Sequence, residues 1–189
     1  PKRTLIKSQD ATYLDMAGLS TVIFRANGYY RRPSSSGTKF TKRDTLLARI
    51  TPCLENGKTA FVDFLESDGT GWGSTEFVVL HPKAPLPEYH GYLLARYPTF
   101  REFAIQSMSG TSGRQRIQND VLGRYLLAVP SNEIAMAFGN IVECIQKKIT
   151  ENHNQSKTLE DIRDTLLPRL ISGQLRLNQA QEIMDEVGA

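Results

Sequence analysis

The chain has 189 residues, 40% hydrophobic and 23% charged, a composition that excludes a disordered or fibrous protein. Its net charge of +3 conceals an asymmetry: residues 1–130 carry 17 Lys and Arg against 11 Asp and Glu, and residues 131–189 carry 6 against 9. No apolar run approaches the roughly 18 residues of a membrane span and no signal-peptide pattern opens the chain, so a cytoplasmic protein is expected; the opening at Pro1 leaves a fragment of something longer open.

Up to about residue 130 the sequence predicts short strands broken by turns. Ala11–Met16, Thr21–Phe24, Thr45–Ile50, Thr59–Leu65 and Glu76–Leu80 are β-branched, aromatic or alternating runs of strand length. Asn27-Gly28, Ser36-Gly37, Asn56-Gly57 and the glycines from Gly69 to Gly73 punctuate them. Asn56-Gly57 between two strand candidates is a strong short-range hairpin signal. Pro87–Tyr97 has helical spacing, and Thr99–Ser107 predicts a second helix capped by Thr99. A polar loop from Ser109 to Ile117 and a last strand, Tyr125–Val129, complete an α+β pattern of mixed or antiparallel, β-rich character.

After Pro130 the character changes. Ser131 or Asn132 is a ready N-cap, and no proline follows until Pro168. Phe138, Ile141 and Ile145, then Leu159, Ile162 and Leu166, recur in the 4-3 step of a coiled-coil seam. The same register places Lys148, Asn152 and Gln155 between them, a polar centre that weakens a coil but restricts its register. About 36 residues of helix would run about 54 Å, more than a domain of this size can cover, so the stripe calls for a partner helix. A single helix packed within its own chain is the competing reading. The helix is expected to kink or end near Pro168, with Ser172-Gly173 as its stop, Leu175–Leu177 extended and a short final helix capped by Asn178. The organisation read from sequence is therefore a domain at 1–130, a long helix at 131–173 and a tail at 174–189.

The residue types of a catalyst do not assemble. Asp68–Gly73 has glycines but precedes a strand, so no helix N-terminus is offered to a phosphate. Glu55 and Lys58, with Asp44, Asp63 and Glu66, lack the spacing of a nuclease carboxylate cluster. Cys53 and Cys144 are isolated and read as reduced structural thiols; His81, His90 and His153 stand alone and read as structural or surface residues. The chain is thus expected to be no enzyme and to hold no metal. What remains is chemistry for nucleic acid. Two basic segments, Arg31–Arg43 (with Arg31, Arg32, Lys39, Lys42 and Arg43) and Gly110–Arg116 (with Thr111, Ser112, Arg114, Gln115 and Arg116), read as flexible loops whose cations take phosphates and whose Arg and Gln forks read bases. Two polar surface loops are the competing reading.

Four segments taken together resemble the specificity subunit of type I restriction–modification enzymes: Thr45–Ala60 (TLLARITPCLENGKTA), Gly73–Leu80 (GSTEFVVL), Gly110–Ile117 (GTSGRQRI) and Leu166–Leu175 (LLPRLISGQL). The resemblance implies a target-recognition domain followed by a spacer helix, in a family where two such domains and two antiparallel helices set the distance between the halves of a split DNA site. It implies double-stranded DNA, modification subunits and restriction subunits as partners, with S-adenosylmethionine, ATP and Mg²⁺ held by those partners and none by this chain. One domain and one helix depart from the two-domain layout, leaving a natural half-subunit that homodimerises or a piece of a full one. Within the motifs, Arg49, Glu55, Asn56 and Lys58 around a strand–turn–strand, and Ser74, Thr75 and Glu76 before a strand, are carried over as further DNA-contact candidates. Asn56-Gly57 as a mere turn, and Glu76 as closing a polar network, compete with that. Two other classes stay in view: a dimeric scaffold whose basic face binds RNA or acidic protein, and a nuclease with an unfamiliar site.

Overall fold

The structure, a computed structural model, describes residues 3–111 and 113–176. The chain divides into two compact units, Pro1–Gly139 and Asn140–Ala189. In the first, the strands are β1 (Asp10–Leu14), β2 (Tyr30–Pro33), β3 (Thr38–Thr41), β4 (Thr45–Ala48), β5 (Thr59–Phe61), β6 (Thr70–Gly73) and β7 (Phe77–Leu80). They form a four-stranded sheet, β2-β1-β6-β3, and a three-stranded sheet, β5-β4-β7. Every pairing is antiparallel except β1 with β6. Three helices follow, α1 (His90–Arg96), α2 (Pro98–Gln106) and α3 (Asn119–Leu122), before α4 (Asn132–Ile171). The α+β class read from sequence is what the chain adopts.

All four side chains of β4 are buried. Leu46 and Ala48 join Leu14 and Phe40 of the larger sheet in one core, while Leu47 joins Ala95, Phe100 and Ala104 of α1 and α2 in another. A strand covered on both faces loses the alternation of a half-wet strand and reads as the continuous apolar run seen here. Asp44, just before it, is fully buried and saturated: Arg3 donates to both carboxylate oxygens at 2.9 and 3.2 Å, His81 Nδ1 lies 2.8 Å away, and Thr41 donates its amide at 2.7 Å.

Several sequence expectations are corrected. Thr21–Phe24 is no strand: Ser20 Oγ accepts from the amides of Val22 and Ile23 at 3.0 Å, curling the segment into a turn from which Phe24 alone enters a core. The segment Arg31–Arg43 is not a flexible loop, since it contains most of β2 and all of β3. Gly69 closes a turn as expected, but Gly71 and Gly73 build β6 rather than a gap. A Cβ on Gly71 would lie 2.4 Å from the Phe40 ring, and one on Gly73 2.3 Å from the Leu14 carbonyl, so close sheet packing demands glycine where turn chemistry would also place it. Tyr125–Val129 pairs with no strand among the described residues; Tyr125 instead sets its ring against Phe100 and Phe103 at 5.1 and 5.3 Å. Thr99 is not a cap, because Pro98 already opens α2 with Tyr97 before it.

The Asn56-Gly57 hairpin signal resolves into a different device. β4 and β5 do pair antiparallel, but a helical turn joins them: the Lys58 amide donates to the Cys53 carbonyl and the Gly57 amide to the Leu54 carbonyl, both at 2.9 Å. With Gly57 at φ +72° this is a Schellman closure, in which glycine takes the left-handed conformation ending a turn of helix.

The helix α4 begins as the sequence predicts, with the Ile134 amide donating to Ser131 Oγ at 3.4 Å. It passes through Pro168 and ends at Ile171, before Gly173 at φ +72°. Ile141, Ile145 and Leu159 are 62%, 55% and 57% exposed, whereas Leu166 packs beside Leu175, with Ile162 and Leu170 against them. Leu177 and the expected final helix at Asn178 lie outside the described residues.

Gly71→Ala is expected to cost about 1–3 kcal/mol, since Phe40 is fully buried and cannot retreat. Urea denaturation followed by circular dichroism should show a lower midpoint at unchanged slope.

Candidate nucleic-acid interface

The loop predicted at Ser109–Ile117 is anchored by its backbone. Ser109 and Arg116 exchange amide–carbonyl hydrogen bonds at 3.0 and 2.9 Å, closing the base of a turn with Gly110 and Gly113 at positive φ. Its outgoing side lies against the continuation of β4. The Thr51 amide donates to the Gln115 carbonyl and the Ile117 amide to the Arg49 carbonyl, both at 3.0 Å, and the Gln115 amide donates to Thr51 Oγ1 at 3.0 Å. Arg49 thereby converges with Arg114, Gln115 and Arg116, far from it in sequence.

Glu76 stands at the centre of that group. Arg116 Nε donates to both of its carboxylate oxygens at 2.8 Å, and the Arg116 Nη2 reaches the same carboxylate. Arg49 Nε lies 3.9 Å from Glu76, while its Nη2 donates to Gln118 Oε1 at 3.0 Å. The Arg116 hydrogen bonds, with the charges of Arg116, Arg49 and Arg114 added, hold the Glu76 carboxyl below the usual carboxylate range against a smaller opposing effect of burial. Arg114 is exposed and its side chain makes no hydrogen bond or ion pair among the described residues, so its guanidinium is available to a phosphate or a base. Thr111 is exposed on the same turn, its carbonyl accepting from the Arg114 amide at 3.0 Å. Ser112 lies outside the described residues.

A second group forms on the larger sheet. Register places Tyr30 and Arg32 of β2, Tyr13 of β1, Trp72 of β6 and Lys39 of β3 on the same face, opposite the buried Leu14 and Phe40. Tyr13 meets Tyr30 and Trp72 at ring separations of 5.5 and 4.6 Å. The Arg32 guanidinium lies 4.8 Å from the Tyr13 ring centre and 5.3 Å from that of Trp72. This aromatic shelf was invisible in sequence, because its members come from four strands.

Other candidates are engaged within the fold. Arg31 pairs with Asp10 at 2.8 Å and Arg43 with Glu88 at 2.8 Å, both exposed. Lys58 donates to the Met16 carbonyl at 3.1 Å, and Ser74 Oγ accepts the Glu76 amide at 3.1 Å. Asn56 is exposed in the closed turn and Lys42 is half-buried beside the Arg43 turn. Two arginines that the sequence reading did not single out, Arg96 of α1 and Arg101 of α2, donate to the carbonyls of Gly57 and Glu55 at 3.0 and 2.9 Å, pinning the turn next to the site. A separate cavity of about 440 Å³, mostly apolar, is lined by residues including Leu80, His81, His90 and Leu127; burial pushes the His90 imidazole below its ordinary value. No group of three or more His, Cys, Asp or Glu among the described residues could hold a metal ion, and no described helix is long and apolar enough to cross a membrane.

Because the Glu76 carboxyl is held low in the folded chain, the pair contributes stability that is fully present above the unfolded value, roughly pH 4.3, and is lost as pH falls through the folded one. Arg116→Ala is therefore expected to lower the urea midpoint at pH 7, and the deficit relative to the wild type should shrink as the pH falls through the titration of the paired Glu76 carboxyl.

No family model matches the chain. It is 26% identical over 149 residues to the type I restriction enzyme EcoEI specificity subunit of Escherichia coli, a match covering 78% of this chain and 25% of that protein. It is 29% identical over 94 residues to the MjaIX specificity subunit of Methanocaldococcus jannaschii, covering 50% of this chain and 22% of the relative. The matches thus span about a quarter of the length of these relatives. Among solved structures, the HsdS subunit from Thermoanaerobacter tengcongensis aligns with a TM-score of 0.57 at 18% identity, over 85% of this chain and 41% of that one. A chain from a study of complex assembly and conformational transition of the type I R-M system aligns at 0.56 and 16%, over 90% and 44%.

Proposed function

We propose that this chain, related in sequence to the specificity subunits of type I restriction enzymes, recognises a double-stranded DNA sequence and directs modification and restriction subunits to it, performing no chemistry itself. The observation that carries the reading is the convergence of Arg49, Arg114, Gln115 and Arg116 on one backbone-anchored edge. The Arg114 guanidinium and the Gln115 amide match base edges, and the two glycines give the turn a conformation suited to close approach to a backbone. Arg32 and Lys39 on the aromatic shelf supply phosphate contacts. S-adenosylmethionine, ATP and Mg²⁺ belong to the partner subunits in this reading.

The helix supplies the geometry. Phe138 and Leu166 stand 14 positions either side of Asn152, Ile145 and Leu159 seven either side, and Ile141 and Ile162 within one position of symmetry. A second copy running antiparallel sets Phe138, Ile141 and Ile145 beside the Leu159 end of its partner with Asn152 beside its counterpart, so the exposed part of the stripe is covered without a new surface, Leu166 being already covered by Leu175. The two-fold dimer places two recognition domains on a split, palindromic site.

Expression with a modification subunit, followed by sequencing of methylated adenines, should return a bipartite palindrome; a continuous or asymmetric motif contradicts the dimer, and no motif contradicts DNA reading. Sedimentation at tens of micromolar should show a dimer that Ile145→Asp converts to monomer. A wild-type monomer would make a longer chain the source of the second helix. Arg114→Ala is expected to cost about 1–3 kcal/mol of binding to the cognate duplex and much less on a scrambled one, measured by fluorescence anisotropy at fixed salt.

A further inference from the structure

The three arginines of the loop edge do not have equal standing, and Glu76 is what separates them. A guanidinium has one fork for bidentate recognition, and that of Arg116 is already engaged with the Glu76 carboxylate through Nε and Nη2. Arg49 is shared between the same carboxylate and Gln118. Only Arg114 is left exposed with no such bond among the described residues. The Glu76 carboxylate sits where its charge repels an approaching phosphate. Its side chain is 20% exposed, and its own backbone is tied into the edge, the Glu76 carbonyl accepting from the Arg49 amide at 3.0 Å.

Resting on the DNA-reading proposal, we infer that Glu76 and Arg116 form a positioning strut that sets the sequence selectivity of the loop, and that Arg116 touches neither base nor phosphate. The strut acts in two ways. It fixes the angle at which Arg114 and Gln115 leave the Thr51–Ile117 edge, because Arg116 is bonded at its main chain to Ser109 and at its side chain to Glu76. It also withdraws one positive charge and adds one negative charge where random duplex would otherwise bind by phosphate attraction alone, so indiscriminate binding is weakened while correct base contacts are not.

The test uses the full chain, a randomised duplex library for selection and sequencing, and one scrambled duplex titrated against salt. Glu76→Gln is expected to bind the scrambled duplex roughly 5–10-fold more tightly, with a salt dependence steeper by about one phosphate contact, and to select a motif blurred at one or two positions. Glu76→Asp should keep the wild-type ratio of selected to scrambled binding. Arg116→Ala should blur the motif while leaving the salt slope unchanged; a slope shallower by about one contact makes Arg116 a phosphate ligand and overturns the strut. An unaltered motif and slope in a Glu76→Gln chain that melts like the wild type overturns it as well. If Glu76→Gln fails to fold, the Arg116→Ala slope decides alone. A wild-type chain that selects no motif overturns the DNA-reading proposal together with this one, whereas a clear wild-type motif with Arg116→Ala of lower slope overturns the strut only.

Discussion

The first unit is organised around a strand with no face to spare. Thr45–Ala48 is buried on both sides, so it must have a sheet on one and helices on the other. Burying Leu46 and Leu47 to opposite sides contributes about 1.5–3 kcal/mol each and orders the two layers about a single axis. Because β4 is held so rigidly, its continuation through Arg49, Ile50 and Thr51 emerges in a fixed direction, and the turn closed by Ser109 and Arg116 is built against that continuation.

Position, more than number, gives the basic residues their meaning. Of the cations between Arg25 and Lys58, Arg31 and Arg43 face carboxylates and Lys58 caps a carbonyl. Arg32 is held over two rings, which orients its charge without cancelling it. A count of charges therefore overstates the attraction for a polyanion and understates how narrowly it is aimed.

The long elements were legible in the sequence because their signals are local. The helical spacing of α4, the Ser131 cap and the Ser172-Gly173 stop are each written within a few residues of what they govern. Strand β6 was not legible, since glycines chosen for close packing on Phe40 carry the same letters as glycines chosen for turns. Thr21–Phe24 failed for the opposite reason: a strand-like composition was overruled by one hydroxyl, Ser20, that offered the backbone other bonds. The loop Gly110–Arg116 stands out in sequence by its residue types, but which of its side chains are engaged within the fold depends on Glu76, 40 positions from Arg116, and on Thr51. Arg96 and Arg101 gave no signal at all, because a helix arginine reaching a carbonyl looks like any solvated one.

The bonds that fasten the loop to the β4 continuation are nearly all made by main-chain atoms: the amides and carbonyls of Arg49, Thr51, Ser109, Gln115, Arg116 and Ile117. Such bonds are indifferent to what the side chains are. Residues at 111, 114 and 115 can therefore change without loosening the frame that presents them, while Gly110, Gly113, Glu76 and Arg116 cannot. A lineage under pressure to alter its target would have a small set of positions free to drift and a scaffold that stays silent while they do.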